Sequence, residues 1–253
     1  MASEPGALCE YLDWDSNFFG RRIARAQVNR LDAELVQSIM AWCQSRQIDC
    51  LYFLCDADDS GTIRLAEDNG LRCVDVRVTF EWQLGKSSLK SSGAGPNVIR
   101  SCVPEDVPAL RAIAQVSHRD TRFYNDPHFS AALCDSLYET WIAKSCNGYA
   151  DAVLVAEVGG RPAGYVSCHL RDQNSGQIGL VGVSANAQGQ GLGPKLVAES
   201  LRWFAEHGAA RVTVVTQGRN IRAQCLYRRC GFLTHSVQLW YHWWFPNGGR
   251  TGR

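Results

Sequence analysis

The spacing of apolar and polar positions changes several times along the chain, and each change predicts an element. Glu105 to Val116 reads as a helix whose Glu105 and Asp106 suit the positive end of its dipole. Ser130 to Lys144 is a second, since Leu133, Leu137 and Trp141 recur every four residues and would share one face. Ala152 to Val158 and Ala163 to Leu170 are strand-like runs joined at Gly159-Gly160-Arg161-Pro162, a short hairpin connection, and Gln177 to Ser184 is a third strand. Ala185 to Gly193 then carries three glycines ahead of a helix with Leu196, Val197, Ser200, Leu201 and Phe204 on one side, stopped by Gly208. Arg211 to Thr216 reads as a strand, Ile221 to Arg229 as a short helix and Thr234 to Trp243 as a last strand.

The first third of the chain repeats part of this order. A shift of 161 residues lays Leu35, Val36, Met40 and Cys43 on Leu196, Val197, Leu201 and Phe204, and Leu51 to Leu54 on Val212 to Val215. Without a gap it also lays Leu65, Gly70, Leu71, Phe80 and Trp82 on Leu226, Gly231, Phe232, Tyr241 and Trp243. The earlier copy has no glycine in Asn29 to Asp32, and Ala66 stands where the later copy has Tyr227, so it reads as structural. Gly85 to Pro96 has the Ser/Gly content of a tether. The expected division is therefore a truncated N-terminal domain over 1–84, a linker over 85–96, a catalytic domain over 97–246 and a disordered tail over 247–253, in the α/β class with a mixed sheet.

Composition narrows the partners. Lys+Arg 26 against Asp+Glu 25 leaves a net charge of +1, too little to draw in nucleic acid or an anionic membrane, so an anionic ligand would have to be held by local geometry. No basic-then-apolar leader and no run of about 18 apolar residues is present, and a cytoplasmic protein is expected. The 11 cysteines are odd in number and form no CxxC pair, which favours reduced, buried thiols over a disulfide scaffold. No Cys/His spacing fits a metal, so none is expected. Cys225 and Cys230 have no nearby His to activate them, and Cys146 and Cys168 sit in ordinary contexts, so no covalent acyl-enzyme is expected.

The densest local signal is Gln188-Gly189-Gln190-Gly191-Leu192-Gly193, placed between a strand and a helix. Residues without side chains let backbone N–H groups approach a ligand, and those amides with the positive helix end suit a pyrophosphate. A ligand-free tight turn would share this composition. A dinucleotide fingerprint shares the spacing but opens an alternating parallel sheet, whereas this loop follows hairpin-connected strands. Taken with Asn220, the Leu226-Tyr227 pair and Cys230-Gly231-Phe232, the Gln-x-x-Gly-x-Gly pattern resembles motifs A and B of the GNAT acetyltransferases, over Val98 to roughly Trp244.

That resemblance implies a GNAT acyltransferase fold, preceded by a smaller GNAT-like half-domain, and acetyl-CoA as cosubstrate. Its pyrophosphate would lie on the amides of Gln188 to Gly193. Its pantetheine arm would pair with the backbone of Leu180, Val181, Gly182 and Val183, where two strands splay. Asn220 would contact the pantetheine or serve as a plain helix N-cap. Tyr227 would protonate the departing thiolate, a phenol of pKa about 10 being protonated at neutral pH, or would be an aromatic packed on a buried face. A base is harder to place, because Gln177 to Ser184 holds no carboxylate. Glu157 and His169 are candidates, and water-mediated proton removal or an amine of lowered pKa fits equally.

In such folds the acceptor enters over the connection between the first two helices. Here that is Asp120 to His128, with Arg122, Phe123, Tyr124, Asn125 and Asp126 able to pair with phosphate, stack on a base and bind hydroxyls, or to sit idle on an exposed loop. The opening Tyr11 to Gly20, the half-copy, Arg122-Phe123 and Tyr227 resemble the group typified by the dTDP-fucosamine acetyltransferases, from which Asn125 to Phe129 departs. The expectation is an N-acetyltransferase working by direct transfer on a small-molecule amine, a nucleotide-linked amino sugar used in surface-polysaccharide synthesis. The rivals are a protein or peptide N-terminal acetyltransferase and a non-catalytic acyl-CoA-binding module. Trp240, Trp243 and Trp244 on the last strand would offer an aromatic edge for a homodimer.

Overall fold

A computed structural model describes residues 8–85 and 98–246, so most of the 85–96 linker expected above and the 247–253 tail lie outside the described residues. The first elements are β1 (Cys9–Tyr11), α1 (Asp13–Phe19), β2 (Ile23–Ala26), α2 (Ala33–Ser45), β3 (Cys50–Asp56), α3 (Ser60–Asp68) and β4 (Arg72–Gln83). Then follow β5 (Ile99–Ser101), α4 (Val107–Ser117), α5 (Arg122–Asn125), α6 (Ala131–Lys144), β6 (Ala152–Val158), β7 (Arg161–Asp172) and β8 (Ser175–Val183). The last are α7 (Leu192–Glu206), β9 (Arg211–Gln217), α8 (Ile221–Arg229) and β10 (Leu233–Trp244). The 161-residue shift carries β3, α3 and β4 onto β9, α8 and β10 with both ends of each element matching.

Two compact units result. The first holds the chain up to Arg77, Asn125–Phe129 and the chain from Val237. Its strands run β1-β2-β3-β10, with β2 parallel to β3 and Cys50–Asp56 of β3 antiparallel to Gln238–Trp244 of β10. Val36, Ile39 and Cys43 of α2 bury against Leu51, Phe53, Cys55, Tyr241 and Trp243, the alternate positions that two paired strands turn to one face. Trp240 and Trp244 are half-buried and Trp243 is buried, so β10 does not present the aromatic edge on which a homodimer was expected.

The second unit runs Val78–Tyr124 and Ser130–Ser236, with strand order β4-β9-β8-β7-β6-β5. β5 to β8 pair antiparallel in turn, and β8 runs parallel to β9. Helices α4 and α7 pack on β7, with Leu110, Leu196, Val197 and Phe204 buried. In α6 the buried face is Cys134, Leu137, Tyr138 and Ile142, one residue round from the expected stripe, so Leu133 and Trp141 flank it half-buried. The units cut across the contiguous division into 1–84 and 97–246. β4 and β10 are counterparts in the repeat, yet β10 pairs with β3 while β4 neighbours β9, because strand pairing and not sequence adjacency decides membership.

Candidate active site

Strand β8 leaves its parallel neighbour halfway along. Pairing with β9 runs from Ser175 to Ile178 against Arg211 to Val214 and stops, so the backbone beyond Gly179 has no ladder partner on that side. On the other side, Gly179 and Leu180 stand against the single residue Ser167, a bulge that bends the strand. The bulge is held by Ser167 Oγ, which is fully buried and accepts the Leu180 N–H at 2.8 Å. Only glycine fits at 179: a Cβ there would lie 2.6 Å from His169 Nε2 and 2.7 Å from Ser167 Oγ.

The glycine loop follows. Gly189 and Gly191 take φ values of +80° and +75°, a region that other residues enter at a steric cost. Gly191 stands at the N-cap of α7 and supplies no side chain to it, so the first N–H groups of the helix remain open to a ligand. The side chains of the two glutamines fix the loop, one within it and one to α8. Gln190 donates to Asn186 O at 3.1 Å, and Gln188 accepts from Arg222 at 3.1 Å.

These parts border one cavity of about 840 Å³. Val181, Gly182 and Val183 line one wall, Gln188, Gly189, Gly191, Leu192 and Gly193 another, and Asn220, Arg222, Cys225, Tyr227 and Arg229 come from the α8 side. Leu180 and Gln190, also placed at the cofactor by the resemblance, are not among the lining residues. Asn220 lines the cavity and also caps α8, its Oδ1 accepting the Ala223 N–H at 3.1 Å. Tyr227 is buried, with Phe80 and Phe232 rings at 6.0 and 5.8 Å. Burial pushes its phenol above the ordinary range, so it holds its proton throughout the neutral region.

The acceptor cluster read from sequence lies elsewhere. Phe123 is buried with Trp141 edge-on at 6.2 Å, Arg122 lies over the Phe123 ring at 4.5 Å, and the Tyr124 hydroxyl donates to Asp135. Asn125 belongs to the first unit. None of these four lines the cavity, which instead takes Ser117 from the end of α4 and Arg119 and Asp120 from the connection just before them. Asp120 is the only carboxylate among the described lining residues. Its position in the connection after α4 is the one signal for it in the sequence. Glu157 is tied to Arg100, which also binds Asp106, and His169 is buried against Tyr149; neither lines the cavity. Burial lowers the His169 imidazole, with the nearby Arg171 charge adding to the effect.

Among the described residues no cluster of three or more His, Cys, Asp or Glu could hold a metal, and no helix is long and apolar enough to cross a membrane.

Known proteins with this arrangement are numerous. The description "Acetyltransferase (GNAT) family" matches residues 112–232. Spore coat polysaccharide biosynthesis protein SpsD of Bacillus subtilis (strain 168) is 29% identical over 56% of this chain and 48% of its own length. Mycothiol acetyltransferase of Beutenbergia cavernae is 28% identical over 76% of this chain and 66% of its own. The chain thus spans just under half of the first relative's length and just under two thirds of the second's. Among solved structures, a GCN5-related N-acetyltransferase from Sphaerobacter thermophilus superposes with a TM-score of 0.66 at 18% identity, over 93% of this chain and 76% of that one. Residues 112–232, a little under half of the chain, are accordingly similar to the GNAT acetyltransferases, and the fold is a GNAT fold with a truncated GNAT-like half ahead of it.

Proposed function

We propose that the chain transfers the acetyl group of acetyl-CoA to the amino group of a nucleotide-linked amino sugar, by direct attack within a ternary complex. The observation that carries the transfer is the parting of β8 from β9 at Ile178 and Val214, which turns unpaired backbone toward a cavity that also holds an open helix N-terminus and a protonated tyrosine. Acetyl-CoA supplies the activated acyl group as a thioester. Val181 to Val183 offer backbone groups to its amide-bearing arm, and the amides of Gly189 to Gly193 with Arg222 and Arg229 suit its phosphates. Tyr227 gives a proton to the leaving sulfur as the new C–N bond forms and the C–S bond breaks. Asp120 pairs with the incoming ammonium and passes its proton to water before attack, the part for which Glu157 and His169 are misplaced.

The amino-sugar acceptor rests on two supports, the relative named for spore coat polysaccharide biosynthesis and the opening Tyr11 to Gly20 motif. A cytoplasmic setting suits eleven free thiols. Relatives named as mycothiol acetyltransferases favour, as a second reading, another small-molecule amine. The test is thiol release from acetyl-CoA by the purified chain with a panel of amino-sugar nucleotides, small amino glycosides and peptides. Release with an amino-sugar nucleotide is expected, and release with peptides alone overturns the reading. Tyr227→Phe should lower kcat about 10²- to 10⁴-fold with acetyl-CoA binding retained, and unchanged turnover would remove Tyr227 from the mechanism.

A further inference from the structure

The first unit contains a second cavity, of about 410 Å³, lined by Arg21, Asp49, His128, Trp244, Phe245 and Pro246. Two of its lining residues, His128 and Trp244, are held by a buried carboxylate that is not itself in the lining. Asp126 Oδ1 takes His128 Nδ1 at 2.7 Å and the His128 N–H at 3.0 Å, and its Oδ2 takes His242 Nδ1 at 2.5 Å and Trp244 Nε1 at 2.7 Å. The network fixes two rings at the cavity wall. His128 stacks on Trp244 with centroids 4.3 Å apart, and with Nδ1 committed to Asp126 its Nε2 is directed away from that carboxylate. Burial alone would raise the Asp126 carboxyl, but the hydrogen bonds from His242, His128 and Trp244 outweigh it, so it stays charged.

That network accounts for where Asn125–Phe129 lies but not for Arg21 or Asp49, which take no part in it. Arg21 is exposed and makes no ion pair among the described residues, and Asp49 spends one carboxylate oxygen on the Arg22 N–H at 2.7 Å. The wall thus offers a guanidinium for phosphate oxygens and an imidazole Nε2 that accepts from a phosphate O–H, aromatic rings beside a planar base, and a carboxylate oxygen for a sugar hydroxyl or an imide N–H. The volume falls within the range of small-ligand sites. We propose that this cavity binds a nucleoside diphosphate, through its phosphates at Arg21 and His128 and its base against Trp244 and Phe245. The site stands on the first unit's own residues and does not require the acetyl-transfer reading.

The experiment is calorimetric titration of the full chain with dTDP, UDP, thymidine and inorganic pyrophosphate. Saturable binding of a nucleoside diphosphate is expected, with thymidine and pyrophosphate each at least about tenfold weaker, because each keeps only half of the contacts. Arg21→Glu and His128→Ala should each weaken dTDP at least about tenfold, the loss of one hydrogen bond to a charged group, without changing acetyl-CoA affinity. Arg21 is exposed, so its variant keeps the fold, and an unchanged melting temperature verifies this. Failure of both diphosphates to bind, or dTDP affinity untouched by Arg21→Glu, overturns the site. If the same substitutions raise the KM of an amino-sugar nucleotide acceptor, the bound nucleotide is the acceptor's own; if they weaken dTDP with that KM unchanged, the site serves a free nucleotide. Failure of acetyl transfer with dTDP still bound through Arg21 would refute the proposed function and leave this site in place.

Discussion

Replacing Ser167 with alanine tests whether one hydroxyl holds β8 in the shape that opens the cavity. The bulge at Gly179–Leu180 takes the Leu180 N–H out of the β7–β8 ladder, and Ser167 Oγ accepts it at 2.8 Å with no exposed surface of its own. Without that oxygen a buried donor loses its acceptor, at about 1–3 kcal/mol. For a chain of this length each kcal/mol moves Tm by about 2–4 °C, so a fall of roughly 2–12 °C is expected. The consequence reaches the ligand, since a strand that sheds its bulge slips by one residue and turns Val181 to the opposite face. Thermal unfolding with and without acetyl-CoA measures both effects, because a ligand that binds the folded state raises Tm by mass action and the increment should shrink in the variant. Gly179→Ala should be at least as harmful alone, but less than additive with Ser167→Ala, since its Cβ would press on the very oxygen removed, 2.7 Å away. A variant that melts within about 1 °C of the parent, with the same acetyl-CoA increment, would refute the reasoning.

Gly191→Ala forces a side chain into a backbone at φ +75°, at about 1–2 kcal/mol, and should weaken acetyl-CoA binding. Gly193→Ala should not, because its Cβ meets Leu226 at an ordinary 3.4 Å; equal losses in a binding titration would contradict the assignment of Gly191 as the strained position. The His118 imidazole, hydrogen-bonded to the Tyr165 hydroxyl at 2.9 Å and stacked on Tyr138, is pushed down by burial to about 4. Its folded value is depressed, so its contribution is whole above about pH 6.5 and is lost as pH falls through about 4, roughly 3 kcal/mol in all. The Tm gap between the parent and His118→Gln should therefore narrow or reverse on acidification, and a gap independent of pH would show that His118 is not buried as a neutral ring.

Much of the scaffold was legible because it depends on local period. Ile221 to Arg229 and Ala152 to Val158 were bounded from sequence as the structure has them, and the 161-residue shift matched whole elements. Strand partnership was not legible for a physical reason. β4 and β10 carry the same pattern at the same offset, so either could close on β3, and the choice rests on long-range packing that no local window contains. The surroundings of Arg122 to Asn125 were illegible for another reason. Arg122 to Asn125 forms a helix of four residues, too short to show a period, so the burial of Phe123 could not be told from exposure.

The repeat also explains why one copy carries a ligand-ready helix end and the other does not. In α7 the first turn is left uncapped by Gly191, and its N–H groups and positive dipole end face the cavity. The matching helix α2 begins at Asp32, whose carboxylate accepts the Leu35 N–H at 2.8 Å and occupies the place an anion would take. A phosphate there would meet a fixed negative charge and find a donor already used. Ala66 completes the loss, being wholly buried where its counterpart Tyr227 lines a cavity. The same change that stabilises α2 as an isolated helix, by about 1 kcal/mol for such a cap, removes the feature that suits α7 to a pyrophosphate, so capping and anion binding are alternative uses of one set of backbone donors.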